Sequence, residues 1–267
     1  MKRIIRAFLW VAPVGCLSFP AYAGISVGAG TEYMVWREFG SNVSSEGAYL
    51  GDEQLLEETG VRGYADLSFS VPMTQRAAFQ AYGRVYSGDV DYDGQYQDGT
   101  PATTVTEYSG GLAEVGLSYN ADLADSREEP VVFIANAGVE QWTRNITGAG
   151  GYEEEYQITY LRLGAEKKAP EGGWTGRGGI FWPQSVTEKV KLLDGITLEP
   201  KGKLSFYVGG GYRFRSGFEM GLNLQTYRFG ESDPVAIDSD GNGVNDSQVW
   251  QPRSELDTAG LYLKYVY

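Results

Sequence analysis

Two residue types limit the chemistry open to this chain. There is no histidine among its 267 residues, and Cys16 is its single cysteine. Histidine is the usual general base near neutral pH and the usual activator of a serine or cysteine nucleophile. Ser-His and Cys-His arrangements are therefore impossible, and one cysteine cannot build a thiolate metal site. Carboxylates remain, 35 Asp and Glu in all, and at that density chance pairs are expected. One loop has a ligand spacing with chemical content. In DSDGNGVND, residues 238–246, side-chain oxygens of Asp238, Asp240, Asn242 and Asp246 fall at positions 1, 3, 5 and 9, with glycine at 6 and the Val244 carbonyl at 7. That spacing suits calcium. Val249 stands at position 12 in place of a bidentate acid, so weak binding is expected. The plain alternative is a polar turn at a loop tip. No other cofactor is implied. Gly28 and Gly30, like Gly209, Gly210 and Gly211, sit inside alternating strands and open no helix, so they relieve crowding rather than cradle a phosphate.

The first 23 residues read as a secretory leader. Lys2, Arg3 and Arg6 precede a short apolar core, and Ala21, Tyr22 and Ala23 supply a small-x-small cleavage pattern. The core is too short for a spanning helix, which takes about 20 residues. Lipidation at Cys16 is the rival, and Pro13 three residues before it argues against. The two domains expected are the leader, 1–23, and one unit, 24–267. Losing the leader takes three basic residues and leaves 19 against 35 acidic ones, a net charge of −16. A polyanion of that size lacks the basic footprint of a nucleic-acid binder.

Period-two alternation dominates residues 24–267, the signature of strands. Over 58–71, Thr59, Val61, Ala65, Leu67, Phe69 and Val71 take one face; Glu58, Arg62, Tyr64, Asp66, Ser68 and Ser70 take the other. Ten such segments are expected, near 25–38, 55–71, 76–88, 104–120, 131–145, 153–168, 174–188, 200–214, 218–229 and 253–267, with a further hairpin conceivable in 189–200. Short connections alternate with long acidic ones, and acids such as Asp89, Asp91, Asp93 and Glu153, Glu154, Glu155 are expected in the long loops.

The last segment is the most specific. Ala259, Leu261, Leu263, Tyr265 and Tyr267 alternate with Gly260, Tyr262, Lys264 and Val266, and the chain ends on an aromatic residue. This resembles the terminal strand of bacterial outer-membrane β-barrels, which the barrel-assembly machinery reads, although Phe or Trp is usual there. The resemblance covers 24–267 at the level of architecture. It implies an all-β fold: a closed antiparallel up-and-down transmembrane β-barrel of about ten strands, in the outer membrane of a Gram-negative bacterium. Lipid and lipopolysaccharide are the implied partners, along with the assembly machinery through 259–267. Omptin proteases, outer-membrane phospholipase A and the lipid A palmitoyltransferase and deacylase are similar in size and architecture. Each relies on a histidine, so no enzyme is expected here. The 238–246 loop, in turn, resembles the calcium loops of EF-hands.

The register places Glu32, Glu58, Asp66, Glu114, Glu140, Glu166 and Glu219 inward with Arg62, Arg84, Arg144, Arg162, Arg177, Arg213 and Lys264. Such a balanced set reads as an ion-paired filling, because buried charges need partners. Tyr33, Trp36, Trp142, Trp174, Trp182, Tyr227, Phe229, Tyr265 and Tyr267 are expected as interfacial girdles. The functional expectation is a structural or interaction role, including adhesion, at the cell surface. A porin-like narrow diffusion channel and a soluble lipocalin-type ligand-binding barrel are the alternatives.

Overall fold

A computed structural model describes residues 24–43, 49–95, 100–120, 131–148, 150–167, 172–191, 195–238 and 243–267. The expected leader, with Cys16, lies outside them. The strands are β1 (Gly24–Val43), β2 (Tyr49–Pro72), β3 (Ala77–Gln95), β4 (Pro101–Asn120), β5 (Val131–Ile146), β6 (Glu153–Lys167), β7 (Gly173–Val190), β8 (Ile196–Leu198), β9 (Lys201–Lys203), β10 (Ser205–Arg213), β11 (Phe218–Gly230), β12 (Val235–Ile237), β13 (Ser247–Val249) and β14 (Arg253–Val266). Each long strand pairs antiparallel with its sequence neighbour, β7 pairs with β10, β11 with β14, and β14 with β1 closes the wall. The result is the expected up-and-down barrel of ten strands. The four short strands lie in its long connections: β8 continues the pairing of β7, β9 pairs with β11, and β12 with β13 forms a separate hairpin.

Alternation puts apolar side chains outside and ions inside. On β2, Val61 and Leu67 are more than half exposed, while Arg62 between them is 3% exposed. A water-soluble barrel of the lipocalin kind would show the reverse. The outward belt continues through Val27, Val85, Val115, Phe133, Leu163, Val208, Leu222 and Leu261, all exposed. It surrounds the half of the barrel that holds Gly24 and Tyr267. Tight turns sit at this end. In one of them Phe214 N–H donates to Phe218 O at 2.7 Å, and Gly217 takes the φ of 87° that the reversal requires.

Toward the other rim the outer face turns from apolar to ionic. Arg37 pairs with Glu57 at 2.7 Å, and Arg228 with Asp257 at 2.6 Å. Crossing a bilayer takes about 9–11 residues of strand, whereas β2 has 24 and β4 has 20. The wall therefore stands well clear of the apolar belt on the side of the long loops, the external side of such barrels. This corrects the sequence reading of the acids. Asp89, Asp91 and Asp93 belong to β3, and Glu153, Glu154 and Glu155 to β6, rather than to loops.

The aromatic girdle also needs correction. Tyr33, Trp174, Trp182 and Tyr267 do face outward and are exposed, and Tyr265 packs edge-on against Phe218 and Tyr267. Trp36, Trp142, Tyr227 and Phe229 are instead buried inside the barrel. Their parity explains this, since Trp36 shares a face with Glu32, and Trp142 with Glu140 and Arg144. Glycines make room for the rings: a Cβ on Gly138 would lie 2.5 Å from the Tyr160 ring, and one on Gly164 2.1 Å from the Tyr207 hydroxyl.

Candidate functional site

The lumen divides into a packed outer half and an open inner half. Every side chain expected to face inward does so. Three further buried acids, Glu38, Glu154 and Glu188, join them, so the expected balance gives way to an excess of acid.

In the outer half, Arg144 is fully buried and gathers carboxylates from three strands. Its Nη1 lies 2.7 Å from Glu154 Oε2 and 3.2 Å from Glu38 Oε1, and its Nη2 lies 2.9 Å from Glu58 Oε1. Glu58 accepts from Thr106 Oγ1 at 2.7 Å and from the Tyr108 hydroxyl. Trp36 Nε1 donates to Glu38 at 2.9 Å. Aromatic rings fill the space beside this hub. Trp142 stacks on Tyr156 at 4.9 Å, Tyr160 packs on Phe181 at 4.4 Å, and Phe181 meets Tyr227 at 4.8 Å. Glu140 accepts from the hydroxyls of Tyr86 and Tyr227 at 2.8 and 2.5 Å. Arg62 closes the layer with a 2.6 Å pair to Glu32, its guanidinium over the Tyr86 ring.

Arg62 Nε and Trp142 Nε1 are left without a hydrogen-bond partner in this network, and Glu188 is its one acid so left among the described residues. It sits beyond the apolar belt, above the bulge at Gln184, where Thr159 is opposite Ser185 and Tyr160 opposite Pro183. Neither of its buried oxygens has a hydrogen-bond partner among the described residues. Burial, and then the nearby Glu154 and Glu38, hold its carboxyl well above the usual carboxylate range. Sequence reasoning missed these three acids although each lies within an expected strand. Parity places Glu38 with Glu32 and Glu154 with Arg162, whereas for Glu188 the bulge at Gln184 reverses the parity set by Arg177.

The inner half contains a cavity of about 480 Å³ that reaches the rim at Gly24, Ser70, Pro72 and Tyr267. Arg84, Arg162, Arg177, Arg213 and Lys264 line it, with Asp66, Glu114, Glu166 and Glu219. Three pairs line its wall: Arg162 to Glu114 at 3.1 Å, and the direct cross-strand neighbours Lys264 and Glu219 at 2.9 Å and Arg84 and Asp66 at 3.7 Å. Sequence reasoning found these residues and not the space between them. The filled lumen it expected is thus present in the outer half alone.

Of the expected calcium ligands, Asp240 and Asn242 lie outside the described residues. Asp238 Oδ2 accepts from Gly243 N–H at 2.5 Å, and Asp246 N–H donates to Ile237 O at 3.0 Å, beside the β12–β13 hairpin. Among the described residues no three acids converge as a metal site would require.

Fold and belt together define a bacterial outer-membrane β-barrel. The chain is similar in fold to the outer-membrane protease OmpT of Escherichia coli, with a TM-score of 0.54, 10% identity and coverage of 92% of this chain and 96% of that one. The translocator domain of the autotransporter NalP of Neisseria meningitidis matches at a TM-score of 0.43 and 12% identity, covering 91% and 88%. The outer membrane protein AlkL matches at 0.40 and 10%, covering 96% and 94%. No family model matches the sequence, and no curated protein does.

Proposed function

We propose that this chain is a non-conducting barrel whose role at the cell surface is structural or interactive. It would be exported on the 1–23 leader, assembled through the 259–267 strand, and seated among lipopolysaccharide with its rim of acids outward. The packed outer half carries this reading. Arg144 and its carboxylates, with the Trp36, Trp142, Tyr156 and Phe181 rings, occupy the cross-section that a solute would have to use. Small barrels fill their interiors with side chains in this way, whereas porin-sized ones leave a channel. The fold shared with OmpT carries nothing of that protein's chemistry. The carboxylates Glu38, Glu58 and Glu154 are bound to Arg144 inside the core, and the chain has no histidine to act as a base.

Planar-bilayer recording of the purified protein tests this directly. No steady single-channel steps are expected over the range of voltages that a bilayer tolerates. Reproducible long-lived openings of porin size would overturn the reading in favour of a diffusion channel.

A further inference from the structure

We propose that the inner cavity is a binding site for a small organic oxyanion, a carboxylate or phosphate carried on a body with an apolar face. Such a site is independent of the surface role proposed above. Charge is left over after the cavity's own pairs are made. Arg84, Arg162 and Lys264 have carboxylate partners, while Arg177 and Arg213 form no ion pair among the described residues. Glu166, which is opposite Arg177 in the β6–β7 register, is likewise unpaired. The lining thus holds one cation in excess, inside a chain whose net charge is −13. Positive charge is concentrated here against the trend of the whole molecule.

Orphaned polar atoms point the same way. Among the lining residues, Arg84 Nε, Arg162 Nε, Arg213 Nε and the Tyr207 hydroxyl are buried without a hydrogen-bond partner. Three are obligate donors and the hydroxyl can donate. Buried polar groups are ordinarily satisfied, and each exception asks for an explanation. A ligand that presents several acceptor oxygens would satisfy these donors, and charge-assisted bonds from guanidinium to an oxyanion are the strong ones. The remaining lining selects the rest of the ligand. Tyr64, Tyr82 and Tyr262 offer ring faces, and Leu112 and Ile134 offer aliphatic surface. The volume falls within the range of ordinary small-molecule sites. Arg177 is also held ready: its Nε would lie 3.2 Å from a Cβ at Gly209, so the glycine leaves room for the guanidinium.

Calorimetry on the purified full chain in detergent tests this with benzoate, phenyl phosphate and the neutral benzyl alcohol. At least one anion should bind saturably, and benzyl alcohol should bind about tenfold more weakly or worse, the loss expected for a charged hydrogen bond. Benzoate alone assigns a carboxylate, and phenyl phosphate alone assigns a phosphate. Arg177→Gln and Arg213→Gln should each weaken binding by about tenfold. Lys201→Gln, in an exposed pair with Asp233 on the far rim, should leave it unchanged. Should an arginine variant fail to refold, wild-type binding must still weaken as salt is raised. Absence of saturable binding, equal binding of benzyl alcohol, salt-independent affinity, or wild-type affinity in a folded Arg177→Gln Arg213→Gln double variant would each overturn the proposal.

Discussion

Arg144 supplies the positive charge that keeps Glu38, Glu58 and Glu154 tolerable in a water-poor interior. Replacing it by methionine keeps the volume and strands three carboxylates. Breaking a buried pair on one side costs roughly 3–5 kcal/mol, so Arg144→Met should lower the urea midpoint of the refolded barrel sharply. Lys201→Ala, which removes an exposed pair, should leave the midpoint unchanged. Glu188 predicts the opposite behaviour. Its carboxyl lies above the usual range because of burial and its acidic neighbours, so the native state binds its proton more tightly than the unfolded chain does. Stability from this group is present at low pH and falls as pH rises past the unfolded value. Glu188→Gln should therefore match wild type in mild acid and exceed it in alkali, as read from melting temperatures across pH. A variant no more stable at high pH would show that the carboxyl is not strained. Which side chains face inward was legible at this scale, from parity alone. Trp36 and Phe229 were misplaced when closeness to a strand end was allowed to outweigh the same parity.

Ten strands and their order could be read because belt and lumen impose opposite demands on alternate residues. Strand ends could not, because above the belt both faces are polar and alternation fades. β1 and β3 show this: their outer halves carry Arg37 and Asp91 where Val27 and Val85 mark the inner halves. Bulges were illegible for a related reason, since one extra residue leaves composition unchanged and reverses parity. At Gln184 the bulge lets Phe181 and Pro183 face inward below it and Val186 and Glu188 above it. Pro183, which has no N–H to donate, is tolerated beside such a break. Deleting Gln184 removes the extra residue and leaves Phe181, Pro183, Val186 and Glu188 inward in an unbroken strand. The deletion should therefore still refold to the heat-resistant form seen by gel mobility, while inserting an alanine between Thr187 and Glu188, which turns Glu188 out and Lys189 into the lumen, should abolish it. Normal refolding of the insertion would mean that the register of β7 is not fixed there.

At the scale of the whole molecule the lumen is asymmetric, closed by a hub and rings toward the long loops and open toward the chain ends. Fold class was legible in the sequence. The asymmetry was not, because it depends on how side chains from non-adjacent strands meet, as Arg144 of β5 meets Glu58 of β2. With Cys16 the single native cysteine, thiol labelling gives a clean readout of this asymmetry. In a chain beginning at Gly24, Thr106→Cys places a thiol in the packed outer half and Ser68→Cys places one in the cavity wall. A small charged thiol reagent applied to both folded proteins measures the central claim most directly. Ser68→Cys should react fast and Thr106→Cys should react only after unfolding. Comparable rates at the two positions in the folded barrel would contradict a lumen that is sealed on its outer side.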